Sequence, residues 1–245
     1  MDYAQVVRRR RMTRRFRADA PVDPDLVCRL LADAGRAPSA GFSQGWAYVA
    51  LVTDVDRDRF WAAATPPSAI PPPAATAPPA ATATSSGSTR AAWLAGVRAA
   101  PVLILALADE GTYRLRYAEP DKGATPPPDQ DWPIPYWLTD TAMGVLLILL
   151  GAADNGLGAL FFGVPGARHT AVKEAFGIPA DRDIVGVVAL GHEERRVGGS
   201  ARHRPRRGPE DYVHWGRFGA PTPDAPASVR ENAEHEGPSP AAQPG

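Results

Sequence analysis

Residues 37–51 read APSAGFSQGWAYVAL. Two turns of small residues lead to a glutamine and a tryptophan, and the chain then enters an apolar run, Ala47 to Val52, with the pattern of a buried strand. A loop so poor in side-chain bulk, set at the mouth of a strand, suits close approach to something flat. Just upstream, Asp23 is a plausible helix N-cap with Pro24 at the first helical position. Leu26, Val27, Leu30, Leu31 and Ala34 then form one apolar face. Gly35 is expected to end that helix in the left-handed conformation.

Downstream, Phe60 to Ala64 begins a helix that gives way to PPSAIPPPAATAPPAATATSSGS. That composition cannot bury enough apolar surface to offset its ordering entropy, so 66–88 reads as an insertion. A helix over 90–99 precedes PVLILALA (101–108), a fully buried strand. WLTDTAMGVLLILLGAAD (137–154) is a helix apolar on nearly every face, which calls for a sheet on one side and other helices or a partner chain on the other. Asn155 and Gly156 stop it. A short strand (156–163), a helix around 170–176 ending at Gly177, and a last buried strand (184–191) complete an alternation of helix and strand. Residues 113–137 read as a second insertion, and 220–245 as a disordered tail, so one domain spans 1–219.

The 245 residues carry 27 Lys and Arg against 27 Asp and Glu, so net charge alone points to no polyanionic partner. The charges are nevertheless segregated. Arg8, Arg9, Arg10, Arg11, Arg14, Arg15 and Arg17 crowd the N-terminus, and Arg202, Arg204, Arg206 and Arg207 crowd a later segment. Such clusters are compatible with a solvated face, a nucleic-acid contact or a bound phosphate. The single cysteine, Cys28, allows no intrachain disulfide, which suits a reducing, cytoplasmic setting. On its helix it reads as a small core residue. The histidines lack metal-ligand spacing, so no metal site is expected. Asp140, near the start of the apolar helix, reads as balancing the helix dipole. The longest apolar stretch, 142–153, is too short to span a bilayer. No membrane and no nucleic-acid partner is expected.

Four pieces follow one another in a telling order: VVRRRRMTRRF, APSAGFSQGWAYVAL, the central helix with GLGALFFGV, and VVALGH with RPRRGPEDYVHW. Together they resemble the FMN-dependent nitroreductase family, over nearly the whole chain apart from the Pro-rich insertion and the tail. The resemblance implies an α+β three-layer fold, a central mixed or antiparallel sheet flanked by helices, and a homodimer whose C-terminal arm, 208–218 here, embraces the partner. It implies FMN as cofactor and NADPH or NADH as donor. The reaction would be ping-pong hydride transfer to nitroaromatic, quinone or similar small-molecule acceptors, with no catalytic side chain.

The implied flavin contacts are as follows. Arg10 and neighbouring Arg11, with Arg204 and Arg206, would hold the phosphate, a task suited to guanidinium forks. Arg14 would reach the ribityl chain or the pyrimidine edge. Pro38, Ser39 and Ala40 would meet the ring edge through backbone groups, and Gln44 would bond further along the cofactor. Phe161, Phe162, Gly163 and Val164 would pack on the ring and offer it a backbone N–H. Trp132, Tyr136 and Trp137 would line the substrate mouth. Two positions depart from the family pattern: Met12 stands where a serine is common, and Phe42 where an asparagine is. A specialised relative (a natural-product dehydrogenase or a flavin-fragmenting enzyme) and a non-redox basic binding protein are the alternative readings.

Overall fold

A computed structural model describes residues 1–65, 85–122, 132–194 and 205–220, with residues 85–90 by backbone alone. The chain forms two compact units, 1–196 and 197–245. In the first, α1 (Tyr3–Arg9) is followed by α2 (Pro24–Ala34), β1 (Trp46–Leu51), α3 (Asp54–Ala64), α4 (Ser85–Arg98) and β2 (Val102–Ala108). Then come α5 (Glu110–Tyr117), α6 (Tyr136–Asp154), β3 (Gly158–Phe162), α7 (His169–Ala175) and β4 (Asp183–Gly191).

The four strands form one antiparallel sheet in the order β1-β2-β4-β3. β2 and β4 are the inner strands, which explains their unbroken apolar sequences: both of their faces are covered. Side chains alternate across the sheet. Leu103, Leu105, Val187 and Ala189 pack with Phe60 and Trp61 of α3, Val97 of α4 and Val172 of α7. Ile104, Ala106, Val188 and Leu190 pack with Val27 and Leu30 of α2 and Val145, Ile148 and Leu149 of α6. The result is the expected α+β arrangement of helices, sheet and helices.

Caps account for several boundaries. Asp23 accepts from the Asp25 amide at the start of α2, with Pro24 in the first turn. Gly156, at φ 74°, terminates α6, and the Leu157 amide reaches back to the Ala152 carbonyl over 2.8 Å. Gly35 does not play that part in α2. It keeps right-handed angles (φ −66°, ψ −8°), and the helix closes through bonds from Arg36 to Asp33 and from Ala37 to Ala34 ahead of Pro38.

Other expectations also need correction. α3 starts at Asp54, because Thr53 caps it by accepting from the Asp56 amide, and not at Phe60. The backbone is already helical from Ser85, so the insertion ends earlier than residue 88; 66–84 lie outside the described residues, as do 221–245 of the expected tail. Cys28 is exposed rather than core. Residues 113–117 belong to α5, whose Tyr113 is fully buried against Trp137. α6 has 19 residues and is long and apolar enough by length and composition to cross a membrane. Here one of its faces is buried on the sheet and on α2, as in a core helix.

Candidate functional site: a basic cleft and a braced loop

After α1 the chain leaves the helix at Arg10 and runs extended beside the sheet. Met12 bridges Ala159 in parallel, the Thr13 amide donates to the Ala159 carbonyl at 2.8 Å, and Phe16 bridges Glu193. Arg9, Arg10, Arg11 and Thr13 thereby line a cleft with Gly156, Gly158 and Glu193. Arg11 is spent on a fork-shaped ion pair with Glu193, and Arg14 donates to the Met12 carbonyl at 3.3 Å. Among the described residues, the Arg10 guanidinium has no such partner. Met12 is only partly exposed and turned inward, its sulfur 3.5 Å from the Phe161 amide. Thr13 is 2 % exposed, and its hydroxyl finds no hydrogen-bond partner.

One cleft is thus lined by an arginine with an unpaired guanidinium and a threonine with an unsatisfied buried hydroxyl, and a phosphate oxygen is a partner that both lack. Sequence reasoning weighed position 12, where a hydroxyl is missing, and overlooked the adjacent Thr13. Its signal was the threonine itself, one residue further along an extended segment. Of the other two expected phosphate residues, Arg206 is exposed in the second unit and Arg204 lies outside the described residues. That unit shows a short 3-10 turn, Pro209–Asp211, and exposes the aromatic Tyr212, Trp215 and Phe218.

The loop 38–45 is held from behind. The Asp140 carboxylate, on a residue 3 % exposed, accepts from the Ala40 amide and from the Tyr113 hydroxyl, both at 2.8 Å. The Ser39 hydroxyl accepts from the Gln44 amide at 2.8 Å and lies 3.3 Å from the Tyr113 oxygen. Arg116 of α5 donates to the Gly41 carbonyl at 2.9 Å. These ties hold Gly41, Phe42 and Gln44 at positive φ (63°, 57° and 56°), an arrangement that two non-glycine residues adopt only where surroundings over-determine it. Phe42 is left 76 % exposed. Asp140, read from sequence as a dipole partner, is therefore a brace for this loop. Tyr113 and Arg116 were missed because α5 was read as insertion. Trp132 and Tyr136 form an edge-on aromatic cluster with Tyr117 and Trp137, next to the same loop through Tyr117, whose ring lies beside Gly41.

Burial pushes the phenol of Tyr48, which lies against Gly144 of α6, up to about 12. Burial also raises Tyr113, with Asp140 adding to the rise and the Ser39 bond opposing it. Both phenols therefore stay protonated in the fold after they would ionise in the unfolded chain, near pH 10. Their contribution is intact below that pH and is lost as pH rises toward 12. The urea midpoint is expected to fall across that window, and to fall less in Tyr113→Phe.

The third component is the end of β3. Phe161 points toward the α2 and α6 side, its ring over Gly186, while Phe162 points to the α3 side. At Gly163 nothing stands within 4 Å of where a Cβ would be, so its backbone is open to a ligand. α6 sets the scale between components. Asp140 braces the loop near one end, while Leu149 and Ala153 line the arginine cleft near the other, a separation of about 14–20 Å along the axis.

The nitroreductase family profile matches residues 7–192. The chain belongs to the nitroreductase family. It is thus an FMN-dependent oxidoreductase. Solved structures show the same fold at low identity. The nitroreductase CinD of Lactococcus lactis, solved with nicotinic acid, is 18 % identical with a TM-score of 0.63, covering 88 % of this chain and 100 % of its own. A candidate nitroreductase of Exiguobacterium sibiricum, in complex with FMN, is 14 % identical with a TM-score of 0.61, covering 88 % and 97 %. A candidate NADH oxidase of Clostridium acetobutylicum is 20 % identical with a TM-score of 0.57, covering 87 % and 99 %. The unpaired Arg10, the unsatisfied Thr13 hydroxyl and the open backbone at Gly163 are features of this nitroreductase that fit FMN.

Proposed function

We propose that this nitroreductase takes reducing equivalents from NADPH or NADH and passes them to nitroaromatic, quinone or similar acceptors, one substrate leaving before the next binds. The observation that carries the reading is the basic cleft, in which Arg10 and Thr13 present an unpaired cation and an unpaired buried hydroxyl. FMN, when bound, supplies the hydride chemistry, and the protein supplies binding, orientation and electrostatics. Arg10 and Thr13 would hold the phosphate end, with Arg204 and Arg206 proposed for the same group and Arg14 for the ribityl chain; Arg11 would reach it only by giving up its ion pair with Glu193. The loop Pro38, Ser39, Ala40, Phe42 and Gln44 would border the ring, and the backbone of Phe161, Phe162, Gly163 and Val164 would approach it. Both backbone polar groups of Ala40 are already bonded within the chain, to Asp140 and to Ser43, so the exposed Phe42 side chain is the loop's main contact surface. The lone Cys28 suits a cytoplasmic enzyme.

Initial rates measured at several fixed concentrations of NADPH with menadione varied test the cycle. Parallel double-reciprocal lines are expected; lines that intersect would mean that both substrates occupy the site together, contrary to the proposal.

The working form is a homodimer. α6 leaves Met143 and Leu146 exposed at 40 % and 47 %, one helical turn apart, and exposed Val7 lies on the neighbouring α1. Large apolar side chains left exposed on one helix face suit an interface. Leu146→Asp is expected to convert the dimer to monomer in sedimentation velocity and to lower flavin content with it, whereas a wild-type protein that sediments as a monomer would remove this part of the proposal.

The Thr13 hydroxyl gives a differential test. Because a buried unpaired hydroxyl is unfavourable, Thr13→Val is expected to leave the flavin-free protein as stable or about 1 kcal/mol more stable. The same change should weaken FMN binding about tenfold, the value of one hydrogen bond to a charged acceptor. Thermal melts of the apoprotein and flavin fluorescence titration read the two effects separately.

A further inference from the structure

The turn between β3 and α7 contains Gly163 and Val164, and both of its ends are fastened to the last turn of α3. At one end the Phe162 ring stacks on Trp61, with centroids 5.7 Å apart and planes 4° from parallel. At the other, the Arg168 guanidinium donates to the Ala63 carbonyl at 2.6 Å and to the Ala62 carbonyl at 3.5 Å. Those carbonyls belong to the final turn of α3, where a helix has no N–H of its own to offer them and where its dipole favours a cation.

A third tie lies within the turn. His169 Nε2 stands 3.1 Å from the Val164 carbonyl, and because a carbonyl only accepts, the ring carries a proton on Nε2 and donates it. The Arg168 amide closes the turn on the Pro165 carbonyl at 2.8 Å. Glycine at 163 and 166 gives this segment wide conformational freedom, and Pro165 has no amide with which to restrain it, so side chains must supply the restraint. They supply it from behind. Arg168 and His169 are half-buried, while Gly163 is exposed with nothing within 4 Å of where a Cβ would be.

We propose that Arg168 and His169 are positioning residues for the flavin, setting the distance and tilt at which the backbone of Gly163 and Val164 meets the ring. The proposal rests on the reading that this backbone approaches the ring. The two residues do for the turn what Asp140 does for the loop 38–45: one buried or half-buried polar side chain fixes a backbone that would otherwise wander. Hydride transfer is steeply sensitive to such placement, and a misplacement of about 1 Å can cost about 100-fold in rate.

Hydrogen exchange over 162–168, with and without FMN, tests the assignment beside the rate at which saturating NADPH or NADH, whichever bleaches the flavin faster, reduces it. In the wild type FMN is expected to slow exchange in this segment. Arg168→Met and His169→Phe should each lose most of that slowing and reduce the flavin about tenfold more slowly. Flavin content and the half-saturating nucleotide concentration should stay as in the wild type, because the phosphate contacts are untouched. His169→Gln, which again offers an N–H to the Val164 carbonyl, should recover both exchange and rate, whereas a role in packing alone would not distinguish Gln from Phe. The His169 pair decides the matter by itself should Arg168→Met fail to fold. Wild-type exchange and rate in His169→Phe would overturn the proposal, and so would a Gln variant as impaired as the Phe one. FMN that binds the wild type without slowing exchange over 162–168 would remove the underlying reading, and the proposal with it.

Discussion

Protein carrying both Arg10→Ala and Arg206→Ala is expected to purify without flavin. Hydrogen bonds from guanidinium to phosphate are charge-assisted and contribute about 1.5–3 kcal/mol each, so losing both arginines should lower FMN affinity by about 100-fold or more. The fold should not suffer. The Arg10 side chain has no ion-pair partner among the described residues, and Arg206 is exposed. An unchanged melting temperature of the flavin-free protein, beside a flavin-to-protein absorbance ratio near zero, would separate lost binding from lost structure. A fully flavinated double variant would move the phosphate site elsewhere.

The second large effect is expected at Asp140. Replacing it by alanine leaves the half-buried Ala40 amide and the buried Tyr113 hydroxyl without their acceptor, and a buried donor so stranded costs about 1–3 kcal/mol. The positive φ angles of Phe42 and Gln44 would also lose a tie that holds them. Asp140→Ala is therefore expected to destabilise the protein by about 3–5 kcal/mol in urea denaturation, in the range typical of a broken buried network. It should also loosen flavin binding through the loop. Tyr113→Phe, which removes one donor and spares the carboxylate, should cost about 1–2 kcal/mol. Asp140→Ala protein as stable as wild type would show that the network does not brace the loop.

Much of the architecture was legible from pattern. β2 and β4 are inner strands with both faces covered, so their apolar runs are unbroken and could be read without knowing their neighbours. α2 carries its own cap and its own apolar stripe. α5 was not legible, because EGTYRLRY is mostly polar and only half-buried, and its one fully buried anchor, Tyr113, gains its value from Trp137 and Asp140 far along the chain. The same holds at Gly35, where Pro38 and a pair of tight turns end the helix in place of a left-handed glycine.

In the site, the arginines and the small-residue loop stood out by composition and order, whereas the brace behind the loop is a long-range hydrogen-bond network that no local pattern encodes. Thr13 illustrates the limit most clearly. A motif comparison asks whether position 12 carries a hydroxyl; only the extended backbone beside Ala159 reveals that residue 13 brings one to the same cleft.

The most direct measurement is the visible absorption spectrum of the purified protein, followed by anaerobic addition of NADPH and then NADH. An oxidised-flavin spectrum with one FMN per chain, bleached by at least one of the two nucleotides, is the predicted result. A colourless protein that FMN cannot reconstitute would contradict the flavin site, and bound flavin that neither nucleotide bleaches would contradict the proposed donor.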